Sequence, residues 1–195
     1  MRTATLTTVA AFALAAAACN NNTGNDVSTD VNLAEDAAAN DVLGANQMGS
    51  AAAAAPTDAA GFANAAASTD LYEIESARLA ADKARNSEVK SLAQHIRTDH
   101  EKSTSELKSA ASTANITVDP KLDAEKQGML EQLRAASGAE FDRLYLEQQK
   151  TAHQKALALL QGYSSGGDNE ALKVFATKTA AAIKGHLDHA NSIRL

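Results

Sequence analysis

The sequence predicts an all-α fold, and its composition and its patterning both point that way. Alanine is very abundant, whereas aromatic residues make up 4% of the chain and tryptophan is absent, a balance that favours packed helices over a sheet. The chain has two prolines, Pro56 and Pro120, so long segments are free of this helix breaker. In those segments apolar residues repeat every three to four positions, which is the period of an α-helix.

Residues 1–18 predict a cleavable secretory signal. Arg2 supplies a positive charge near the start, and the apolar run of residues 9–18 is too short to span a bilayer and ends in small residues. The run stops at Cys19, the single cysteine of the chain. The sequence Ala-Ala-Ala-Cys at this point resembles the lipobox of bacterial lipoproteins, in which the cysteine is diacylated and becomes the new N-terminus.

Lipidation at Cys19 predicts a protein anchored to a membrane of the bacterial cell envelope. Asn20 follows the cysteine where some lipoproteins have aspartate, and by resemblance to known sorting signals this implies an outer-membrane location facing the periplasm. The alternative is an ordinary cleaved signal that leaves Cys19 as a free thiol. With one cysteine, a disulfide within the chain is impossible.

Residues 19–56 predict a disordered tether that follows the acylated cysteine, because they are polar and acidic and lack a sustained helical period. A flexible segment of about 37 residues spans on the order of 35 Å, enough to hold a domain clear of lipid headgroups. Acidic residues of this segment supply most of the net charge of −6, so the domain predicted over 57–195 is nearly balanced. Without a basic surface, nucleic-acid binding is excluded.

The domain is predicted to begin with an antiparallel helical hairpin. Residues 57–58 (Thr-Asp) offer an N-cap for a first helix that runs to about Ala84. Asn86 and Ser87 then break this helix and cap a second one, which continues to about Ala114. Because the break is short, the two helices are expected to pack side by side.

A shorter third helix and a second hairpin complete the predicted order. Residues 119–120 (Asp-Pro) form an N-cap followed by proline at the first helical position, and this third helix ends near Ala136. Residues 137–140 (Ser-Gly-Ala-Glu) have the pattern of a capping box for the fourth helix. Residues 164–167 (Ser-Ser-Gly-Gly) predict a break, after which Asp168 caps the fifth helix.

Two long hairpins joined by about 23 residues predict a four-helix bundle with one long crossover, the ferritin-like connection. The shorter third helix is expected to form that crossover. Its length of about 16 residues corresponds to roughly 24 Å, enough to carry the chain from one end of the bundle back to the other.

Several pieces of the chain resemble the family called domain of unknown function 4142, over about residues 57–195. The pieces are Phe62 with residues 73–80, and the sequences HIRTDHEKS, SGAEFDRLYLEQQKTAHQKAL and IKGHLDHA. The resemblance implies a ferritin-like fold and a bacterial envelope location. The family's name states that its function is unknown, so the resemblance does not imply any particular activity.

The candidate functional residues are ionisable groups on or beside the apolar stripes, where they are costly unless paired or bound to a ligand. Folding each predicted hairpin at its turn sorts them by depth. One group is expected at a common depth: Glu73, Asp99 and His100, with His153 the nearest histidine of the fourth helix. A second polar layer is expected about 12 Å away: Asp142 facing His189, and Tyr145 facing His186.

Two interpretations of these residues remain open at the level of sequence. In the first, Glu73 with His100, and Asp142 with His189, are hydrogen-bonded pairs that fix the helix register. In the second, Glu73, His100 and His153 hold a single transition-metal ion. The depth estimate predicts that one centre cannot use both His153 and His186, and the Glu-x-x-His pattern of ferritin-like di-iron sites is absent.

These observations favour a non-enzymatic envelope protein that acts through contacts with an unknown envelope partner, or in a stress-related role. The alternatives are a metal-binding ferritin-like protein and a periplasmic module that binds a small ligand. No Ser-His-Asp order, glycine-rich phosphate loop or cysteine pair points to a particular reaction.

Replacing Cys19 with serine is expected to release the protein from membranes, because the residue would no longer carry acyl chains. Membrane fractionation of cells that express each form measures this, together with incorporation of a labelled fatty acid. A Cys19→Ser form that remains in the membrane fraction, beside a wild type that takes up no label, would contradict the lipoprotein interpretation.

Overall fold

The computed structural model describes residues 56–195, which form five helices and, within that range, no strand. The helices are α1 Ala59–Lys83, α2 Ser87–Thr113, α3 Ala124–Ala135, α4 Gly138–Gly166 and α5 Glu170–Ser192. The all-α prediction is therefore confirmed. None of these helices has a stretch both long and apolar enough to cross a membrane. The predicted signal, Cys19 and nearly all of the predicted tether lie outside the described residues.

The four long helices form a bundle built from two hairpins. Helices α1 and α2 pack along each other, as do α4 and α5, and the hairpins meet through α2 against α5 and α1 against α4. The shorter α3 lies on the outside, in contact with α1 and α4. The chain thus passes from the end of the first hairpin to the start of the second through α3.

Two of the predicted helix starts are confirmed by capping hydrogen bonds, and a third is wrong. The side chain of Asp58 accepts a hydrogen bond from the amide of Gly61 at 2.7 Å, and that of Asn86 caps α2. The third helix begins at Ala124 and is capped by Asp123, not by Asp119. The amide of Asp119 donates to the side chain of Asn64 on α1 at 3.0 Å, so this part of the chain is tied to α1 before the helix starts.

The predicted capping box of α4 is also wrong. Ser137 occupies the N-cap position but its side chain makes no capping hydrogen bond. The next residue, Gly138, has a φ of 63°, a left-handed conformation that glycine adopts without the strain other residues would incur. The turn from α3 into α4 therefore depends on the backbone freedom of Gly138 instead of on a serine cap.

The break between α4 and α5 lies later than predicted. Helix α4 continues through two serines to Gly166, because the hydroxyls of Ser164 and Ser165 bond back to the carbonyl of Gln161 at 2.9 and 2.8 Å and are satisfied within the helix. Asn169, not Asp168, caps α5 by accepting from the amide of Leu172 at 3.2 Å. The chain reversal is thus centred near residue 168, and positions facing each other on α4 and α5 shift accordingly.

The core consists of two apolar clusters with a polar layer between them. One cluster surrounds the α1–α2 turn and includes Leu92, Ile96, Leu133 and Phe141. The other fills the opposite end of the bundle and includes Phe62, whose ring stacks on Tyr163 with centroids 3.9 Å apart. On each of the four long helices the residues between the two clusters include buried polar side chains.

Asp142 forms a brace between the two hairpins instead of the predicted pair with His189. Its buried carboxylate accepts hydrogen bonds from the amides of Arg85, at 3.0 and 3.2 Å, and of Asn86, at 2.9 Å. These amides lie in the turn between α1 and α2, where no helical carbonyl is available to them. The start of α4 therefore holds the turn of the first hairpin. His189 is half-buried and lies beside His95.

Replacing Asp142 with alanine is expected to lower the free energy of unfolding by about 2 kcal/mol, because two amides would lose their acceptor in a poorly hydrated position. Asp142→Asn keeps one acceptor oxygen and should cost less. Chemical denaturation measures both, with the exposed Glu140→Gln on the same helix as the control. Equal stability of Asp142→Ala and the control would contradict the bracing role.

Candidate metal centre

The polar layer brings together side chains from all four long helices. Its members are Asp70 and Glu73 on α1, His100 on α2, Gln149 and His153 on α4, and His186 on α5. The three histidines are 2%, 1% and 7% exposed, in the order given. Buried ionisable groups are costly unless they are paired or bound to a ligand, so the contacts of each ring decide what the layer can do.

One nitrogen of each buried imidazole is fixed by a hydrogen bond to an oxygen. His100 Nδ1 lies 2.7 Å from Asp70 Oδ1, and His153 Nδ1 lies 2.9 Å from the carbonyl of Gln149. His186 Nε2 lies 2.8 Å from Asp99 Oδ2. Carboxylate and carbonyl oxygens accept hydrogen bonds, so in each pair the ring nitrogen carries the hydrogen and donates. In the neutral rings the other nitrogens, His100 Nε2, His153 Nε2 and His186 Nδ1, therefore present lone pairs.

Ring nitrogens of the three histidines converge on one point. One nitrogen from each ring lies within 4.8 Å of one nitrogen from each of the others. His153 Nε2 and His186 Nδ1 are 3.3 Å apart, although neither carries a hydrogen when both rings are neutral. His100 Nε2 is buried and has no hydrogen-bond partner among the described residues. Two nitrogens bound to one tetrahedral Zn²⁺ at about 2.05 Å would be separated by about 3.3 Å, so the spacing of His153 Nε2 and His186 Nδ1 suits a metal ion.

The electrostatics of the layer favour neutral rings at His153 and His186. Burial lowers the pKa of His153 to about 3, and the charges of His100 and His186 act in the same direction. Burial also lowers the pKa of His186, against the opposing effect of its hydrogen bond to Asp99. For His100, burial acts to lower the pKa, but the hydrogen bond to Asp70 and the charge of Glu73 outweigh it and the net direction is upward. Neutral imidazole is the form that binds metals.

Glu73 is a completely buried carboxylate without a hydrogen-bond partner in the described part of the chain. Its Oε1 lies 3.5 Å from His153 Nδ1, the nitrogen that already donates to the Gln149 carbonyl. Burial raises the pKa of Glu73 to about 7, and the charge of His100 opposes this rise. A large fraction of Glu73 is therefore protonated at neutral pH, and a nearby cation would stabilise its charged form.

The structure brings together most of the residues predicted for a metal site, but two of them have other partners than predicted. His100 pairs with Asp70, and Glu73 lies beside His153. The rings of His100 and His153 are 5.8 Å apart between centroids. No direct hydrogen bond joins Glu73 to His100, because His100 pairs with Asp70, one helical turn earlier. Asp70 was not predicted from the sequence. Its place beside His100 could have been, since folding α1 and α2 about residue 85 places position 70 opposite position 100.

The prediction that one centre cannot use both His153 and His186 is wrong. Their rings are 5.3 Å apart between centroids, and His186 lies in the polar layer and not beside Tyr145. The predicted depth assumed a reversal at residues 165–166, whereas α4 continues to Gly166 and α5 begins at Glu170. This change moves the position facing His186 by about five residues, toward His153.

Two further residues predicted for the site, Asp99 and Tyr145, lie at the edge of the polar layer or outside it. Asp99 is the partner of His186, and its side chain is 47% exposed. Tyr145 is buried in the cluster near the α1–α2 turn, with its ring stacked near Phe141 and its hydroxyl without a hydrogen-bond partner among the described residues. Burial raises the pKa of Tyr145, and the charge of Glu73 raises it further. Tyr145 is thus part of the apolar packing beneath Glu73.

Comparison with known proteins identifies the family. The family described as "Domain of unknown function (DUF4142)" matches residues 44–193. No match was found among curated proteins or among solved structures. The matched segment covers well over half of the 195 residues. The chain therefore belongs to the DUF4142 family, as its motifs indicated.

Proposed function

We propose that the helical domain binds one transition-metal ion through His100, His153 and His186. Two observations carry the proposal: each of the three rings offers a nitrogen within 4.8 Å of the other two, and one nitrogen of each ring is held by a hydrogen bond. Metal-binding histidines commonly donate their second nitrogen to a carboxylate or a backbone carbonyl, which fixes the tautomer and raises the basicity of the ligand nitrogen. Asp70, Asp99 and the Gln149 carbonyl serve that role here.

The ligand set favours zinc or copper. Imidazole nitrogen suits Zn, Cu, Fe and Ni, whereas Mg²⁺ and Ca²⁺ prefer oxygen. A site with three histidine ligands leaves a fourth position for water or a further donor. Glu73, predicted from the sequence as an oxygen ligand, lies 3.5 Å from the hydrogen-bonded Nδ1 of His153 and is not part of the converging set.

The proposal places this domain in the bacterial cell envelope, anchored through Cys19 and facing the periplasm from the outer membrane. It rests on the signal-like residues 1–18, the lipobox resemblance and the acidic tether that follows. The domain is proposed to be a ferritin-like relative that acts without catalysis, through metal binding and contact with an envelope partner. The position of α3 between the two hairpins supports the ferritin-like relationship.

The small-ligand alternative has less support. A cavity between α1, α3 and α4, beside Tyr72 and Met129, has a volume of about 150 Å³. A hollow of about 370 Å³ beside Val174 and Phe175 is a shallow surface depression that would leave a ligand exposed to solvent. Pockets for small organic ligands are typically about 300–1,000 Å³. The pairs of the register interpretation, Glu73 with His100 and Asp142 with His189, are not formed. A purely structural role would instead fall to the pairs of His100 with Asp70 and of His186 with Asp99, and it would not respond to added metal.

Wild-type protein purified without a histidine tag is expected to bind one equivalent of Zn²⁺ or Cu²⁺ tightly. At a free metal concentration of 100 times the dissociation constant, binding should raise the free energy of unfolding by about 2.7 kcal/mol. His100→Ala should lose this gain, because one ligand is removed, whereas Gln94→Ala, an exposed change on the same helix, should keep it. Metal analysis and thermal unfolding with and without a chelator measure both effects. A wild type that is indifferent to metal, beside a His100→Ala form destabilised by about 1–3 kcal/mol, would favour a purely structural role.

Asp70→Asn is expected to weaken metal binding about 10- to 100-fold, because the charged acceptor that orients His100 is lost while the ligand itself remains. Competition with a chromophoric chelator measures the dissociation constant. Asp82→Asn, an exposed change on the same helix, is the matched control. If Asp70→Asn binds the metal with unchanged affinity, Asp70 does not orient a ligand of the centre.

A further inference from the structure

We propose that His95 and His189 form a surface site for the same class of metal ion, and that ions reach the buried centre through it. The inference rests on the proposed function and adds a second site and a direction of entry. All five histidines of the chain belong to the two sites, since His95 and His189 are the two that the buried centre does not use.

The outer pair has a geometry comparable to that of the buried rings. His95 is exposed on α2 and His189 is half-buried on α5. Their ring centroids are 6.1 Å apart with the planes tilted by 43°, while the buried rings are 5.3 to 5.8 Å apart. Two neutral imidazoles at such a separation offer nitrogen ligands to one ion at the protein surface.

Asp99 and His186 connect the outer pair to the buried centre. Asp99 lies one helical turn after His95 on α2, and His186 lies one turn before His189 on α5. The two are hydrogen-bonded at 2.8 Å, with the Asp99 side chain 47% exposed and that of His186 8% exposed. The hydrogen bond between Asp99 and His186 thus joins an exposed carboxylate to the buried rings of His186 and His153.

The face of the bundle formed by α2 and α5 is the polar approach to the centre, because it carries Asp99, the half-exposed partner of the buried His186. Along the bundle axis the centre is closed at both ends by the apolar clusters that contain Phe62 and Phe141. On the opposite side, α1 packs against α4 and α3 covers part of both. A divalent ion loses much of its hydration on entering a protein interior, so a path with a ligand at each step has a lower barrier than an apolar one. The carboxylate of Asp99 adds negative charge where the path begins.

The experiment compares metal-binding kinetics of the wild type and of His95→Ala/His189→Ala. Stopped-flow mixing with Zn²⁺ and a fluorescent chelator gives the association and dissociation rate constants of the buried centre. We expect both rate constants to fall by roughly tenfold, because a site that raises the local ion concentration speeds entry and exit alike. The dissociation constant should therefore stay within about twofold of the wild type, as detailed balance requires. Gln94→Ala/Thr177→Ala, exposed changes on the same helices, is the control.

A second variant tests the surface site alone. In His100→Ala/His153→Ala the buried centre lacks two ligands, and one weaker equivalent of Zn²⁺ should remain that disappears when His95 and His189 are also replaced. If the wild type binds metal at the buried centre but His95→Ala/His189→Ala loads at the wild-type rate, the entry route is overturned while the proposed function stands. If the wild type binds no metal at the three buried histidines, the proposed function itself fails.

Discussion

Three hydrogen bonds, from His100 to Asp70, from His153 to the carbonyl of Gln149 and from His186 to Asp99, determine what the centre of this bundle can do. Each one fixes which nitrogen of a ring carries the hydrogen and turns the other nitrogen inward. Without them the rings would be buried polar groups with free orientation. The bonds of His100 and His186 also tie α2 to α1 and to α5, whereas the bond of His153 lies within α4.

The polar layer also imposes a cost on the fold that the rest of the molecule offsets. Several of its atoms, including both carboxylate oxygens of Glu73 and Nε2 of His100, have no hydrogen-bond partner among the described residues. Each such buried atom costs about 1–3 kcal/mol. The large apolar clusters on both sides, and the brace of Asp142 on the first hairpin, hold the layer closed despite that cost. A bound cation would offset part of it.

Sequence patterns predicted the five helices because the apolar period is a local feature, whereas three of the five predicted N-terminal caps were wrong. The predicted boundary of α4 failed because a serine side chain can either continue a helix or help to end it. The hydroxyls of Ser164 and Ser165 bond to a helical carbonyl and continue α4, although serine next to glycine usually marks a break. Because α4 continues through these serines to Gly166, His153 and not Tyr145 faces His186. Asp70 was missed for a different reason, since its role follows from the position across the hairpin and not from its own helix.

The division of the core into two apolar clusters bears on how a bound ion would stabilise the bundle. Because the polar layer interrupts the apolar packing on every long helix, the hydrophobic stabilisation of the bundle comes from two clusters separated by groups that must be paired or bound to a ligand. The three proposed ligands sit on α2, α4 and α5, and α1 joins them through Asp70. An ion bound by them would therefore cross-link the helices at the level of the bundle where apolar contacts contribute least.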